Sequence, residues 1–424
     1  MNLKEDANKI IKEIIEENLP GNAVKKALES REVTTDNVYL IAIGKAAYTM
    51  AKCTAEFLGT RLKKGIIVTK YGHAKEPIDG IDIYESGHPL ADENSVLATE
   101  KCIELASSLT EKDELIFLIS GGGSAIFEKP QEDVSLQDIV SITNQLLKCG
   151  ADIVEINMIR KRLSMVKGGR FAEIANPAKI FSIILSDVLE DRLDTIASGP
   201  TVPDISTSED ALMVVSKYAL DLSDVILQKL KTETPKEIHN VDICITGSVK
   251  TLIEAAEVSV QKLGYTPYVL TSTLNCEAKE AGRFLSSIAN DTLKGDNNFK
   301  RPCAIIAGGE TVVTVTGSGT GGRNQEMALS FAEGIQDKGG VLFFSLGSDG
   351  TDGPTDAAGG IVTGETSSLL KERSLTISTV LKNNDSYNAL EKVDALIKTG
   401  PTGTNVNDIS VILLEWIKKA VIVI

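Results

Sequence analysis

Apolar residues at near-helical spacing (Ile10, Ile11, Ile14 and Ile15) open the chain and predict a helix over about 3–17. Short apolar blocks then alternate with amphipathic runs. The blocks 38–43, 65–69, 81–85, 115–120 and 180–186 predict strands, and the runs 46–57, 93–109 and 135–148 predict helices. This order implies βαβ units and a mostly parallel sheet with helices on both faces. Several blocks are apolar throughout, as expected where both sheet faces are covered. A helical stretch over about 206–231 leads into the polar, proline-bearing segment Thr232-Glu-Thr-Pro-Lys-Glu. A second alternation follows, with strands expected at 241–246, 266–270, 304–307, 311–316, 341–346 and 409–414. The predicted fold class is therefore α/β. It has two domains, 1–235 and 236–424, each with a mostly parallel sheet flanked by helices.

Three of the blocks run into glycine-rich loops: Gly121-Gly122-Gly123-Ser124, the stretch 317–324, and Gly347-Ser348-Asp349-Gly350-Thr351-Asp352-Gly353. Glycine allows successive N–H groups to aim at one point, and such concavities bind anions. A helix starting just after the loop adds its positive end. Ligands of open parallel sheets bind beyond the carboxyl ends of the strands, where these loops lie. Together they suggest a site built around phosphate. The P-loop pattern is absent. Gly317, Gly319 and Gly322 match G-x-G-x-x-G, a weak signal in so glycine-rich a segment.

Charges sharpen this picture. Lys45 stands between a strand and a helix start, and Arg323 just before another. A cation there opposes the helix dipole by roughly 0.3–1 kcal/mol, so each is either an anion ligand or an ordinary surface charge. Asp187 ends one block, with Glu190, Asp191 and Asp194 after it; Asp349, Asp352 and Asp356 punctuate the third loop. These carboxylates suit a hard cation such as Mg²⁺, or serve as turn and cap residues. The basic stretch from Asn157 to Arg170 reads either as an anion anchor or as a solvated helix face with a glycine C-cap.

Composition narrows the class. The 424 residues carry a net charge of −15, which disfavours nucleic acid and anionic membrane as partners. Mean hydropathy is +0.02, and no stretch approaches ~20 consecutive apolar residues. The six cysteines form no C-x-x-C pair and read as reduced thiols, and with no leader pattern at Met1 the expected location is the cytoplasm.

Several segments resemble the class II glycerate kinases, whose C-terminal part is the MOFRL domain. They are Ile43-Gly-Lys45-Ala-Ala; Ser86-Gly-His-Pro-Leu-Ala-Asp; Ile119-Ser-Gly-Gly-Gly-Ser-Ala125; Val166-Lys-Gly-Gly-Arg170; and Leu185-Ser-Asp187-Val. Further on come Ala307-Gly-Gly-Glu310-Thr; Gly321-Gly-Arg323-Asn-Gln-Glu326; Ser348-Asp-Gly-Thr-Asp-Gly-Pro354; Asn384-Asp-Ser-Tyr387; and Thr399-Gly-Pro-Thr-Gly-Thr-Asn-Val-Asn-Asp408. The resemblance implies a Rossmann-like N-terminal domain, a MOFRL-type C-terminal domain and an active site in the interdomain cleft. It implies ATP-dependent phosphorylation of D-glycerate at the 2-hydroxyl.

Lys45 and Arg323 match the family's active-site positions. With Asp187 they are the expected catalytic residues. Asp187 and Asp349 are the expected Mg²⁺ ligands. Gly121, Gly122, Gly123, Ser124, Gly247, Ser248, Gly319, Gly321 and Gly322 are the expected ATP contacts. Two positions depart from the pattern: Arg162, where members often carry histidine, and Val249, where asparagine is common. The expected partner is the small molecule glycerate, with a homodimer left open. Two other readings stand beside the kinase: an NAD(P)H-dependent hydroxypyruvate reductase and a non-catalytic phosphometabolite-binding protein.

Overall fold

The computed structural model describes residues 2–31, 33, 35–186 and 193–416. They pack as two compact units, 20–246 and 1–19 together with 247–424.

The 20–246 unit is built on six strands: β1 (Val38–Ile43), β2 (Leu62–Lys70), β3 (Ile81–Ser86), β4 (Glu114–Ile119), β5 (Lys179–Leu185) and β6 (Val241–Gly247). Their order is β3-β2-β1-β4-β5-β6, and the β1–β2, β2–β3, β1–β4 and β4–β5 pairs are parallel. Every residue of the central strand β4 is buried, which is why its sequence has no polar alternation. Phe117, Phe127 and Phe171 pack mutually with ring centroids 4.9–5.8 Å apart. Each contributes roughly 1.5–3 kcal/mol by leaving water. A satellite core joins Ile139, Ile142, Leu146, Ile159 and Leu163 to Val214, Ile226 and Leu230. The stretch expected as one helix over 206–231 is two, Ser208–Tyr218 and Asp224–Leu230, because Ala219 takes a left-handed φ of 47°.

β6 lies beyond the boundary expected near 235 and still completes this sheet. The first helix, Leu3–Glu17, groups with 247–424 instead; its Asp6 accepts a hydrogen bond from the Tyr265 hydroxyl at 2.8 Å.

The second unit holds β7 (Thr266–Leu274), β8 (Cys303–Gly309), β9 (Val341–Gly347), β10 (Gly359–Thr363), β11 (Leu396–Ile397) and β12 (Asp408–Leu414), in the order β11-β10-β9-β12-β8-β7. The expectation of a mostly parallel sheet fails here. β7–β8 is the parallel pair; β12–β8, β12–β9, β10–β9 and β10–β11 are antiparallel. Parallel neighbours need a long crossover, and β9 reaches β10 through a helix-free loop. The strand expected at 311–316 does not form; only Val312 makes an isolated bridge, to Glu277. Among the described residues no helix is long and apolar enough to cross a membrane.

Candidate active site

In the 20–246 unit, the ends of β1 and β4 are drawn together by Gly44. Its φ is 109°, and a Cβ there would collide with the Ser120 carbonyl. The Ser120 hydroxyl accepts from the Ala46 N–H at 3.1 Å, and the Lys45 N–H donates to Gly121 O at 2.9 Å. This backbone lock places Lys45, whose side chain is exposed, beside the glycine loop. Gly122 has φ 86°; a Cβ on it would stand 2.9 Å from the His88 ring and 3.3 Å from Lys45 Cγ. His73 Nδ1 lies 3.0 Å from the Lys45 carbonyl oxygen. Burial first, then the charges of Lys45, Lys70 and His73, hold the His88 imidazole below its ordinary pKa.

The loop is also held from beneath. Lys167 Nζ donates to Ser124 O at 2.9 Å and to Phe127 O at 2.8 Å, while Arg160 donates to Ser124 O at 2.8 Å. Glu128, wholly buried, lies 3.2 Å from Lys167 and 3.8 Å from Arg160. Burial pushes the Lys167 ammonium down to about 8, against the opposing pull of Glu128. The Ser124 hydroxyl meets Ser198 Oγ at 3.0 Å, and Ser198 donates to Asn157 at 2.9 Å. The two readings of the basic stretch both give way to this arrangement. Its charges are internal, and Gly168 and Gly169 precede the helix Arg170–Ala175 rather than capping the helix Ile153–Leu163.

In the second unit, antiparallel β12 carries Asp408 to the carboxyl ends of β8 and β9, where it registers with Gly309 and Gly347. Arg323 donates to both oxygens of Asp408, at 2.5 and 2.9 Å, and to Glu310 at 2.8 Å. Burial raises the Asp408 carboxyl and Arg323 pulls it back. Asp352 caps the helix Arg323–Gly334 by accepting from the N–H groups of Asn324 and Gln325 at 3.2 and 2.9 Å. Burial pushes its carboxyl up to about 7. Arg323 is therefore not a lone cation awaiting an anion at a bare helix end. Three of its five N–H donors are spent on carboxylates, leaving two for a ligand.

The loop 317–322 also differs from the expected phosphate cradle. The N–H groups of Gly317, Ser318, Gly319 and Thr320 donate to Asn384, Asn383 and Asp385 at 2.8–3.2 Å. Cβ atoms on Gly317, Gly319, Gly321 or Gly322 would collide with residues 383–386 or Asp352. Close packing is thus a sufficient reason for these glycines, and no strand precedes the G-x-G-x-x-G as a dinucleotide turn requires. Ser248 spends its hydroxyl as N-cap of the helix Val249–Lys262. Asp349, half-buried, accepts from the Thr351 N–H at 2.9 Å. Asp187 lies outside the described residues, with Glu190 and Asp191.

The domain of unknown function DUF4147 matches residues 6–231, and the MOFRL family matches 303–408. A D-glycerate 2-kinase of Thermotoga maritima is 52% identical over 97% of this chain and 98% of its own. The chain belongs to the glycerate kinase family. A glycerate 2-kinase of Pyrococcus horikoshii is 43% identical, covering 89% of this chain and 87% of its own. A crystal structure of the Thermotoga glycerate kinase superposes with a TM-score of 0.95 at 51% identity, covering 97% of this chain and 99% of that one. Relatives from Agrobacterium vitis that bear a provisional hydroxypyruvate reductase name are more distant, at 36% identity over 88% of this chain.

Within the glycerate kinase frame, Arg162 is a structural residue. It is wholly buried, donates to Met158 O and to Ser206, and lies 3.6 Å from Asp204 and 3.4 Å from Glu233. Val249 is buried at the first turn of its helix, with Cγ2 3.4 Å from a Cβ on Gly308. The sequence offered Arg160 and Lys167 only as members of a basic run and Asp352 only as a member of an acidic loop, where its cap role is the one the structure shows, and it gave His88, Glu310 and Asp408 no role. Several stood within the quoted motifs, but their ion pairs span from 13 to 85 residues and leave no local signal.

Proposed function

We propose that the protein transfers the γ-phosphoryl group of ATP to the 2-hydroxyl of D-glycerate, giving 2-phosphoglycerate and ADP. The 52% identity to a D-glycerate 2-kinase across 97% of the chain carries this reading. Phosphoryl transfer passes through a loose transition state, so the protein positions groups and balances charge rather than forming covalent bonds to the substrate. Lys45 is proposed to bind an anionic group of the substrates. Arg323, its plane fixed by Asp408 and Glu310, presents its two remaining donors to a phosphoryl or carboxylate oxygen. Gly121, Gly122, Gly123 and Ser124 shape the oxyanion loop above the Lys167–Glu128 support.

Kinase Mg²⁺ is typically held by one or two carboxylates plus substrate phosphates. Asp349 fits that donor set, with one carboxylate oxygen outside its own turn. Among the described residues no three histidine, cysteine or acidic side chains gather into a protein-only cage. When bound, the cation neutralises charge on the phosphate oxygens. Asp187 is proposed to orient the 2-hydroxyl or accept its proton.

The test is ADP release coupled to a reporter, run with D-glycerate, ATP and Mg²⁺, and NMR of the product. Absence of turnover rejects the activity, and 3-phosphoglycerate as sole product rejects the regiochemistry. Hydroxypyruvate-dependent NADH oxidation without ATP would support the reductase instead.

A further inference from the structure

We propose that His88 contacts the substrate: with Lys45, above Gly122, it binds an oxyanion and takes up a proton from solvent as that anion enters. The oxyanion is either the carboxylate of the hydroxy acid or a phosphoryl oxygen, and the inference rests on the reading of this loop as a substrate site.

The geometry begins with Gly122. Its missing side chain leaves room for two others: a Cβ would stand 2.9 Å from His88 Cδ2, 3.1 Å from Nε2 and 3.3 Å from Lys45 Cγ. The imidazole and the lysine stem therefore converge on one small patch of backbone beside the β1 and β4 ends. Gly87, just before the histidine, is in a turn so tight that a Cβ would stand 3.0 Å from the Asp92 carboxylate.

Three basic groups act on the ring, and they agree in sign. Lys45 follows β1, Lys70 ends β2, and His73 lies just beyond it. Among the described residues, the neighbouring acids Asp92 and Glu85 hydrogen-bond to groups other than the ring. Asp92 accepts from the Tyr71 hydroxyl at 2.7 Å and from the Ser95 N–H at 2.9 Å, and Glu85 accepts from the Ala74 N–H at 2.9 Å. Burial of the ring first, and then these like charges, disfavour its protonation. The same gathering attracts an anion, and an anion within about 4–6 Å reverses the preference and favours imidazolium. A site for a small anion gains a second N–H donor, and a positive charge, only when the anion is present.

The chain has three histidines, His73, His88 and His239, so histidine-labelled NMR of the full-length protein resolves each ring. His73→Gln and His88→Gln assign the signals, and exposed His239 serves as an internal control. In the free protein His88 should titrate below an ordinary histidine. Inorganic phosphate or D-glycerate, added separately without nucleotide, should shift its midpoint upward while His239 stays fixed. A response to D-glycerate alone assigns the carboxylate, and a response to phosphate alone assigns the phosphoryl oxygen. If neither anion moves His88 in the wild-type protein, the proposal is overturned. In turnover, His88→Gln should lower kcat/KM by roughly 10–100-fold, the worth of a hydrogen bond to a charged group. If the protein fails to phosphorylate D-glycerate but phosphate still shifts His88, the proposed substrate falls and the oxyanion site stands.

Discussion

Replacing Arg323 with alanine separates two accounts of this residue. As a surface cation opposing a helix dipole, its removal would leave stability unchanged or slightly improved. Its contacts say otherwise. The guanidinium spans Asp408, at 2.5 and 2.9 Å, and Glu310, at 2.8 Å. Asp408 keeps only 6% of its side-chain exposure, so the variant strands a buried carboxylate. Breaking a fully buried pair costs about 3–5 kcal/mol. The Arg323 side chain retains 34% exposure, so solvent screening reduces the expectation to about 2–3 kcal/mol. For a unit of this size that corresponds to a Tm lower by roughly 4–12 °C. Arg323→Lys should recover little, because one ammonium cannot bridge both carboxylates as a planar fork does. Asp408→Asn added to Arg323→Ala should restore most of the stability, since no buried charge is then left alone. The assay is denaturant and thermal unfolding of the two single variants, Arg323→Ala and Asp408→Asn, and the double at pH 7, with kcat/KM measured in parallel. An Arg323→Ala protein that melts with wild type, or a double variant no more stable than the worse single, would falsify the ion-pair argument.

Three further outcomes follow from the same geometry. Lys45→Ala should melt within about 1 kcal/mol of wild type, since it removes an exposed cation from a helix start, yet lose roughly 10²–10³-fold in kcat; near-normal turnover would return Lys45 to the surface. Lys167→Met should destabilise by about 2–4 kcal/mol, because Glu128 then keeps only Arg160, 3.8 Å away; adding Glu128→Gln should restore stability but not kcat, because the Phe127 carbonyl still lacks its donor and Ser124 is held by Arg160 alone. Asp352, with its carboxyl raised to about 7, binds a proton in the folded state that the unfolded chain has already released. Its contribution to stability therefore falls as pH rises from about 4 to 7. Urea titrations of Asp352→Asn should show a shallower decline over that window, and an identical slope would contradict the burial argument.

Much of the fold was legible because its signals are local. Buried parallel strands must be apolar throughout, so β1, β2, β4 and β5 announced themselves, and the helices that cover them have helical spacing. Lys45 and the loop at Gly121 were legible for the same reason: a glycine turn between strand and helix is written in consecutive residues. Strand direction in the second sheet was not. Apolar blocks such as 341–346 and 409–414 read alike whether their neighbours run parallel or antiparallel, and only the helix-free link from β9 to β10 and the placement of β12 decide it. That reversal brings Asp408 onto Arg323 and turns a lone cation into a paired one. The basic run around Arg160 shows the same limit. Charge is visible in a sequence, but burial and pairing are properties of distant chain segments: Arg160 and Lys167 close on Ser124, Lys161 on Asp204, and Arg162 on Ser206. The sequence thus determined which groups the protein carries and where the chain turns. The tertiary structure decided which charges are already neutralised and which remain to meet a ligand, because electrostatics depends on distance and desolvation rather than on order along the chain.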